Sequence, residues 1–309
     1  MSGADGITLH HYDVSPFSEK IRVIFGLKGI SWKSVRIPPV MPKPDLMPLT
    51  GGYRKTPVMQ IGGDIYCDTQ LIAGELERRF PQPSLFPGGH GLHRAAAMWA
   101  DRTWFAVTAG LVFGANCDLI PEEFLKDRSE FSGRPLDREL LRRGVAPMRV
   151  QWAAYAGWMD EALAEGRAFP SGDAPGLADI SAYMNVWFLT NLCPAEAGLA
   201  ERFSHLTAWA ARMAEFGHGE RNELSGEEAL DIAAAATPDG KEEAWADDPA
   251  GLKPGDPVTV MPDDTGRVPV KGTFLRGDSH KVVLRRRDER VGEVNLHFPR
   301  AGFLIHKAG

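Results

Sequence analysis

The order of periodicities along the first eighty residues constrains this chain more than any other feature. A β-branched and aromatic run, Ile7 to Tyr12, leads into a turn at Asp13-Val14-Ser15-Pro16, and from Phe17 to Lys28 the residues Ile21, Ile24, Phe25 and Lys28 recur at helical spacing. Pro16 suits the first helical turn, where a missing N–H costs nothing, and Gly29 ends the helix. Trp32 to Ile37 is then a second apolar strand. Strand, helix and strand in this succession predict a parallel pair joined by a right-handed crossover.

Pro38, Pro39, Pro42, Pro44 and Pro48 exclude a long helix from the stretch 38–52, which is predicted as an ordered loop. Pro57 to Ile61 and Asp64 to Tyr66 flank Gly62-Gly63, the signature of a tight antiparallel hairpin. Asp68 opens a helix carrying Leu71, Ile72, Leu76 and Phe80. The order is therefore βαβ, loop, ββα.

Pro81 to Gly91, rich in proline and glycine, reads as a linker. Helical periods then dominate to about residue 236, as in Val145, Met148, Trp152, Tyr155, Met159, Leu163 and in Phe203, Leu206, Trp209, Met213, Phe216. Thr237 to Gly251 is acidic and aperiodic, a second linker. Beyond it Val258 to Val260, Val268 to Leu275, Lys281 to Arg287 and Val291 to Phe298 are short β-type runs. The expected division is an α/β domain over 1–83, an all-helical domain over 91–236 and a small β-barrel-like module over 252–309.

Composition narrows the function. Of 309 residues, 43% are hydrophobic and 25% charged, the balance of an ordinary globular protein, and the net charge of -6 offers no bulk attraction to nucleic acid or to an anionic membrane. No apolar run is long enough to cross a bilayer, and Met1 to Gly6 has neither the basic start nor the apolar stretch of a secretory signal, so a cytoplasmic protein is expected. Cys67, Cys117 and Cys193 are widely spaced and suggest neither disulfides nor zinc. His10 and His11, adjacent on a strand, face opposite ways and cannot share a metal. No metal is expected.

The segment His11-Tyr12-Asp13-Val14-Ser15-Pro16-Phe17-Ser18-Glu19-Lys20-Ile21-Arg22 resembles the first strand and helix start of serine-type glutathione transferases. Lys55-Thr56-Pro57-Val58 is similar to that family's cis-proline loop, and Asp68-Thr69 to the acidic-hydroxyl pair that holds the γ-glutamyl group. The resemblance covers about residues 6 to 236. It implies a thioredoxin-like α/β N-terminal domain and an all-α transferase domain, to which this chain adds its β module. It also implies glutathione as co-substrate, a small hydrophobic electrophile or a hydroperoxide as partner, and a homodimer. Gly176-Leu177-Ala178-Asp179-Ile180-Ser181 resembles the family's capping box, with glycine where the family has serine or threonine.

The chemistry of the residues agrees. Glutathione carries two carboxylates, an ammonium and a thiol whose pKa, near ~8.5 for an ordinary cysteine, must fall for reaction at neutral pH. Ser15, at a helix start, can donate its hydroxyl to the sulfur while the helix end adds a favourable potential. Tyr12 is the rival donor. If Thr56-Pro57 is cis, Val58 is expected to turn its N–H and C=O toward the cysteinyl backbone of the ligand. Asp68 suits the ammonium and Thr69 a carboxylate; Lys55 or Arg54 suits the glycyl carboxylate, and Phe17 completes the binding set. With Ser15 and Ser18 in place of cysteines, dithiol chemistry is excluded. Met98, Trp99, Arg102 and Phe105 are candidates to line the electrophile pocket. A non-catalytic glutathione-binding scaffold, whose β module grips a partner, is the alternative.

Overall fold

In the computed structural model, which describes residues 6–242, 245 and 248–308, the elements expected of the first eighty residues form. β1 (Ile7–His11), α1 (Pro16–Leu27) and β2 (Ser31–Arg36) make the βαβ opening, with β1 and β2 parallel. β3 (Val58–Ile61) and β4 (Asp64–Cys67) form the antiparallel hairpin, β3 pairing also with β1, and α3 (Thr69–Arg79) follows. The proline-rich stretch holds one short helix, α2 (Met47–Thr50). Alternation along the strands serves two cores. Ile7 and Leu9 of β1, Met59 of β3 and Tyr66 of β4 join a core shared with α1, α3 and the helical domain. Val58, Ile65 and Cys67 turn to the opposite face.

The helical domain runs through α4 (His90–Trp99), a π-helical turn (Ala100–Trp104), α5 (Phe105–Ala115), α6 (Glu122–Ser132), α7 (Arg138–Ala164), α8 (Leu177–Leu192), α9 (Pro194–Ala200) and α10 (Ser204–Ala214). Its buried axis is α8, capped as expected: the Asp179 carboxylate accepts from the Gly176 N–H at 2.8 Å and from the Ser171 N–H at 3.1 Å. Gly176 is glycine for a local reason. A Cβ there would fall 2.3 Å from the His93 ring, which is itself held by the Pro87 carbonyl.

Two features depart from expectation. The stretch expected to stay helical to about residue 236 contains a strand, β5 (Glu220–Glu223), parallel to β2, before α11 (Gly226–Ala235). The β module is open and continuous with the first domain. Its strands β6 (Pro257–Pro262), β7 (Val270–Gly277), β8 (Lys281–Asp288), β9 (Gly292–Pro299) and β10 (Phe303–Lys307) extend one ten-stranded sheet in the order β10-β6-β7-β8-β9-β4-β3-β1-β2-β5. β9 lies parallel to β4, Ile65 opposite Leu296, and covers an edge that would otherwise expose unpaired backbone. Asp64 seals the seam, accepting from Asn295 Nδ2 at 3.1 Å and pairing with His297 Nε2 at 2.7 Å. Residues 243, 244, 246 and 247 of the expected second linker lie outside the described residues.

Candidate functional site

Strand register gathers the three expected segments. His10 stands opposite Val58, and Val58 opposite Cys67. The C-terminal ends of β1 and β4 and the start of β3 therefore meet at one end of the sheet, and from that end leave Tyr12 to Ser15, Thr56-Pro57 and Asp68-Thr69. The Thr56-Pro57 bond is cis. Val58, however, lies within the ladder between β1 and β4 rather than offering its backbone outward. Thr56, ahead of β3, is the residue outside the ladder.

Ser15 is almost fully buried and caps α1: its Oγ accepts from the Ser18 N–H at 3.2 Å and its carbonyl from the Glu19 N–H at 2.9 Å. The hydroxyl proton is not used by that cap, so it is available to a sulfur. Asp68 caps α3, accepting from the Gln70 N–H at 2.9 Å, at φ +76°, where a side chain other than glycine's is rarely found. Such strain is kept where surroundings enforce it, and often at ligand sites. Thr69 is buried in the first turn of the same helix. Phe17 packs edge-on against Phe105 at 4.6 Å, joining α1 to α5.

The cations are distributed differently from the expectation. Arg54 is ion-paired to Asp127 of α6, and its guanidinium lies over Phe131. Lys55 pairs with Asp264 of the β module at 2.5 Å. Lys43, which sequence reasoning passed over, is buried, donates to the Arg54 carbonyl at 3.1 Å and to Thr56 Oγ1 at 3.0 Å, and sits over the Tyr12 ring. No carboxylate is paired with it among the described residues; Asp127 is already held by Arg54 and Arg128. Burial, with Arg128 and Arg54 adding, lowers its ammonium to about 7. Its only sequence signal was its place between Pro42 and Pro44, which marks a rigid backbone and nothing about charge.

Between the first domain and the helical domain, Lys20 of α1 pairs with Asp101 of the π-helical turn at 2.6 Å. Burial raises the Asp101 carboxyl in spite of that ammonium, and Asp68 adds to the rise. Of the pocket candidates, Phe105 meets Phe17 and Arg102 pairs with Asp263, whereas Trp99 turns to Trp104, Tyr155 and Trp158. Met98 is half-buried on α4. Cys67 is fully buried, and burial followed by Asp68 pushes its thiol well up, the state of an inert cysteine. His10 and His11 hydrogen-bond to Gln60 and Ser34, so they do face apart.

Residues 9–84 match the model of the glutathione S-transferase N-terminal domain, and residues 122–212 that of the C-terminal domain. A solved GST-like protein from Pseudomonas syringae is 37% identical, with a TM-score of 0.81, over 97% of this chain and 100% of its own. The chain belongs to the glutathione transferase family. That coverage takes in the β module as well. Other transferases share the fold over a smaller part of the chain: one from Rhodospirillum rubrum F11 is 23% identical with a TM-score of 0.52, over 67% of this chain and 87% of its own. A family member from Pseudomonas fluorescens pf-5, solved with two glutathione bound, is 13% identical with a TM-score of 0.53, over 70% of this chain and 91% of its own. Among curated proteins none matches. No helix among the described residues is long and apolar enough to cross a membrane.

Proposed function

We propose that this transferase family member binds glutathione at the β1, β3 and β4 end of the sheet and holds its sulfur as a thiolate for attack on a small hydrophobic electrophile. The observation that carries the reading is that two groups flank Tyr12 at that end: Ser15, whose N–H donates to the Tyr12 carbonyl and whose hydroxyl proton is not used by the α1 cap, and the buried Lys43, which lies over the Tyr12 ring and has no carboxylate ion pair among the described residues. Asp68 takes the ligand ammonium, Thr69 the γ-glutamyl carboxylate, Thr56 the cysteinyl backbone, and Lys43 the glycyl carboxylate. Ser15 donates to the sulfur, and the α1 N-terminus favours its negative charge. In conjugation, the thiol proton leaves to water and the sulfur lone pair forms the new S–C bond. The leaving group departs with the old bonding pair. With a hydroperoxide, the thiolate attacks the terminal peroxide oxygen, the O–O bond breaks and the alkoxide takes a proton from water and leaves as the alcohol; a second glutathione then attacks the resulting sulfenic sulfur, forming the disulfide and releasing water.

Ser15→Ala should lower the conjugation rate with a generic aryl halide about tenfold or more while leaving glutathione affinity within about twofold. Unchanged turnover would remove Ser15 from the chemistry. Retention of the wild-type chain on immobilised glutathione with no turnover of any electrophile or hydroperoxide would favour a binding scaffold instead.

A further inference from the structure

The loop between β6 and β7, residues 263–269, belongs to the β module yet grips both other parts of the chain. Asp263 Oδ1 accepts from Arg102 Nη2 at 2.7 Å, on the π-helical turn. Asp264 Oδ1 accepts from Lys55 Nζ at 2.5 Å, one residue ahead of Thr56. The Gly266 N–H donates to the Phe131 carbonyl of α6 at 2.8 Å. At φ +61° a Cβ on Gly266 would fall 2.4 Å from the Phe131 ring, so the backbone lies directly on that side chain. Val268 closes against Gly52. Pro262 and Pro269 fix the backbone on either side of the loop.

These anchors surround the sheet end that carries Thr56 and Asp68. Tyr53, buried beneath, has its phenol pushed up by burial and further by Asp68, Cys67 and Asp264, so the loop carboxylate and the expected ammonium ligand share one neighbourhood. Arg102 is likewise held charged by Asp263, with Asp264 and Asp68 adding. Consecutive aspartates of one loop thus occupy one cation of the first domain and one of the helical domain.

We propose that residues 263–269 form an acidic strap across the mouth of the glutathione site, and that Asp264 withholds Lys55 from an anionic ligand until the strap lifts. The competition rests on the glutathione reading above; the strap itself does not. Lys43 donates on either side of Lys55, to the Arg54 carbonyl and to Thr56 Oγ1, so the glycyl carboxylate given to Lys43 has a second oxygen that presents to Lys55 the same chemistry as Asp264, and the ligand can replace what the strap gives up. The ion pairs are partly solvent-exposed, with side-chain exposures of 19% and 37% at Lys55 and Asp264 and of 37% and 36% at Arg102 and Asp263. Pairs of that kind are individually weak, as a latch that must open requires.

The test is calorimetric titration of the full chain with S-methylglutathione, comparing wild type, Asp264→Asn, Asp263→Asn/Asp264→Asn and Lys55→Met, alongside timed trypsin digestion read at Arg267 within the strap. Asp264→Asn should bind about threefold to fivefold more tightly. The double variant should be cut faster after Arg267. In a Lys55→Met background, Asp264→Asn should no longer change affinity. Unchanged or weaker binding by Asp264→Asn, together with wild-type cleavage in the double variant, overturns the strap. Faster cleavage with no S-methylglutathione binding by any form supports the strap and overturns the ligand.

Discussion

Lys43 holds a positive charge where burial makes charge costly, and that gives it a pH signature in both stability and binding. Its folded-state pKa of about 7 lies below the ordinary lysine value of 10.5, so above pH 7 the unfolded chain binds more protons than the folded one. The penalty of the buried ammonium is therefore full below about pH 7 and is relieved as pH rises toward the unfolded value. Lys43→Met should raise the melting temperature at pH 6. An anionic ligand reverses the preference, since it favours the ammonium. Affinity for S-methylglutathione, which has no thiol to titrate, should be flat below about pH 7 and fall by up to tenfold per pH unit above it. Lys43→Met should weaken binding at pH 6 about tenfold or more and flatten that profile. A variant that binds as wild type would assign the carboxylate elsewhere. Ser15 and Asp68 were legible in the sequence because turn chemistry is local: a Ser-Pro step and an acidic residue at the ends of strands announce helix caps. Lys43 was not, because its burial and its lack of a carboxylate partner arise from α6 side chains more than eighty residues away.

The α8 cap shows how an element can keep a motif while changing the residue that carries it. Serine is ordinarily the better N-cap, and Gly176→Ser would restore the family pattern, yet it should destabilise the protein by about 1–3 kcal/mol because its Cβ meets the His93 ring. His93→Ala should recover part of that loss in the double variant, which thermal unfolding of the single and double variants will read. Stabilisation by Gly176→Ser alone would refute the steric account. Elements with strong periodicity, such as α1, α3 and α7, could be read directly. β5 could not: Glu220-Arg221-Asn222-Glu223 has no apolar alternation and is a strand only because β2 offers it an edge. The π-helical turn that brings Asp101 to Lys20 left no trace in the apolar spacing, since one extra residue per turn shifts the pattern less than side-chain variation does.

At the scale of the molecule, the boundary between the first domain and the β module is a boundary in the sequence and not in the packing. Tyr53 packs edge-on against Phe298 and at a tilt against Phe303, and Val58, Ile65 and Cys67 share a core with Val260, Phe274 and Leu296. Composition marked a new β segment correctly, but pairing of β9 with β4 joins residues about 230 apart and no local pattern can reveal it. A chain shortened after Thr237 should lose β9, one of β4's two neighbours, and half of that core, and should unfold at least 10 °C lower or aggregate on gel filtration. Wild-type stability of the shortened chain would mean that the module folds apart from the rest. Through its strap the same module reaches the site, so fold and proposed chemistry are joined at Lys55 and Arg102. This sheet end, in the function proposed for it, ionises a bound glutathione thiol with help from Ser15. Ultraviolet titration of the thiolate absorbance of the complex measures that directly. The bound thiol should have a pKa at least about one unit below the ordinary ~8.5, rising by roughly a unit in Ser15→Ala; an unshifted pKa in the wild-type complex, or the same lowered pKa in both proteins, would overturn the role given to this sheet end and to Ser15.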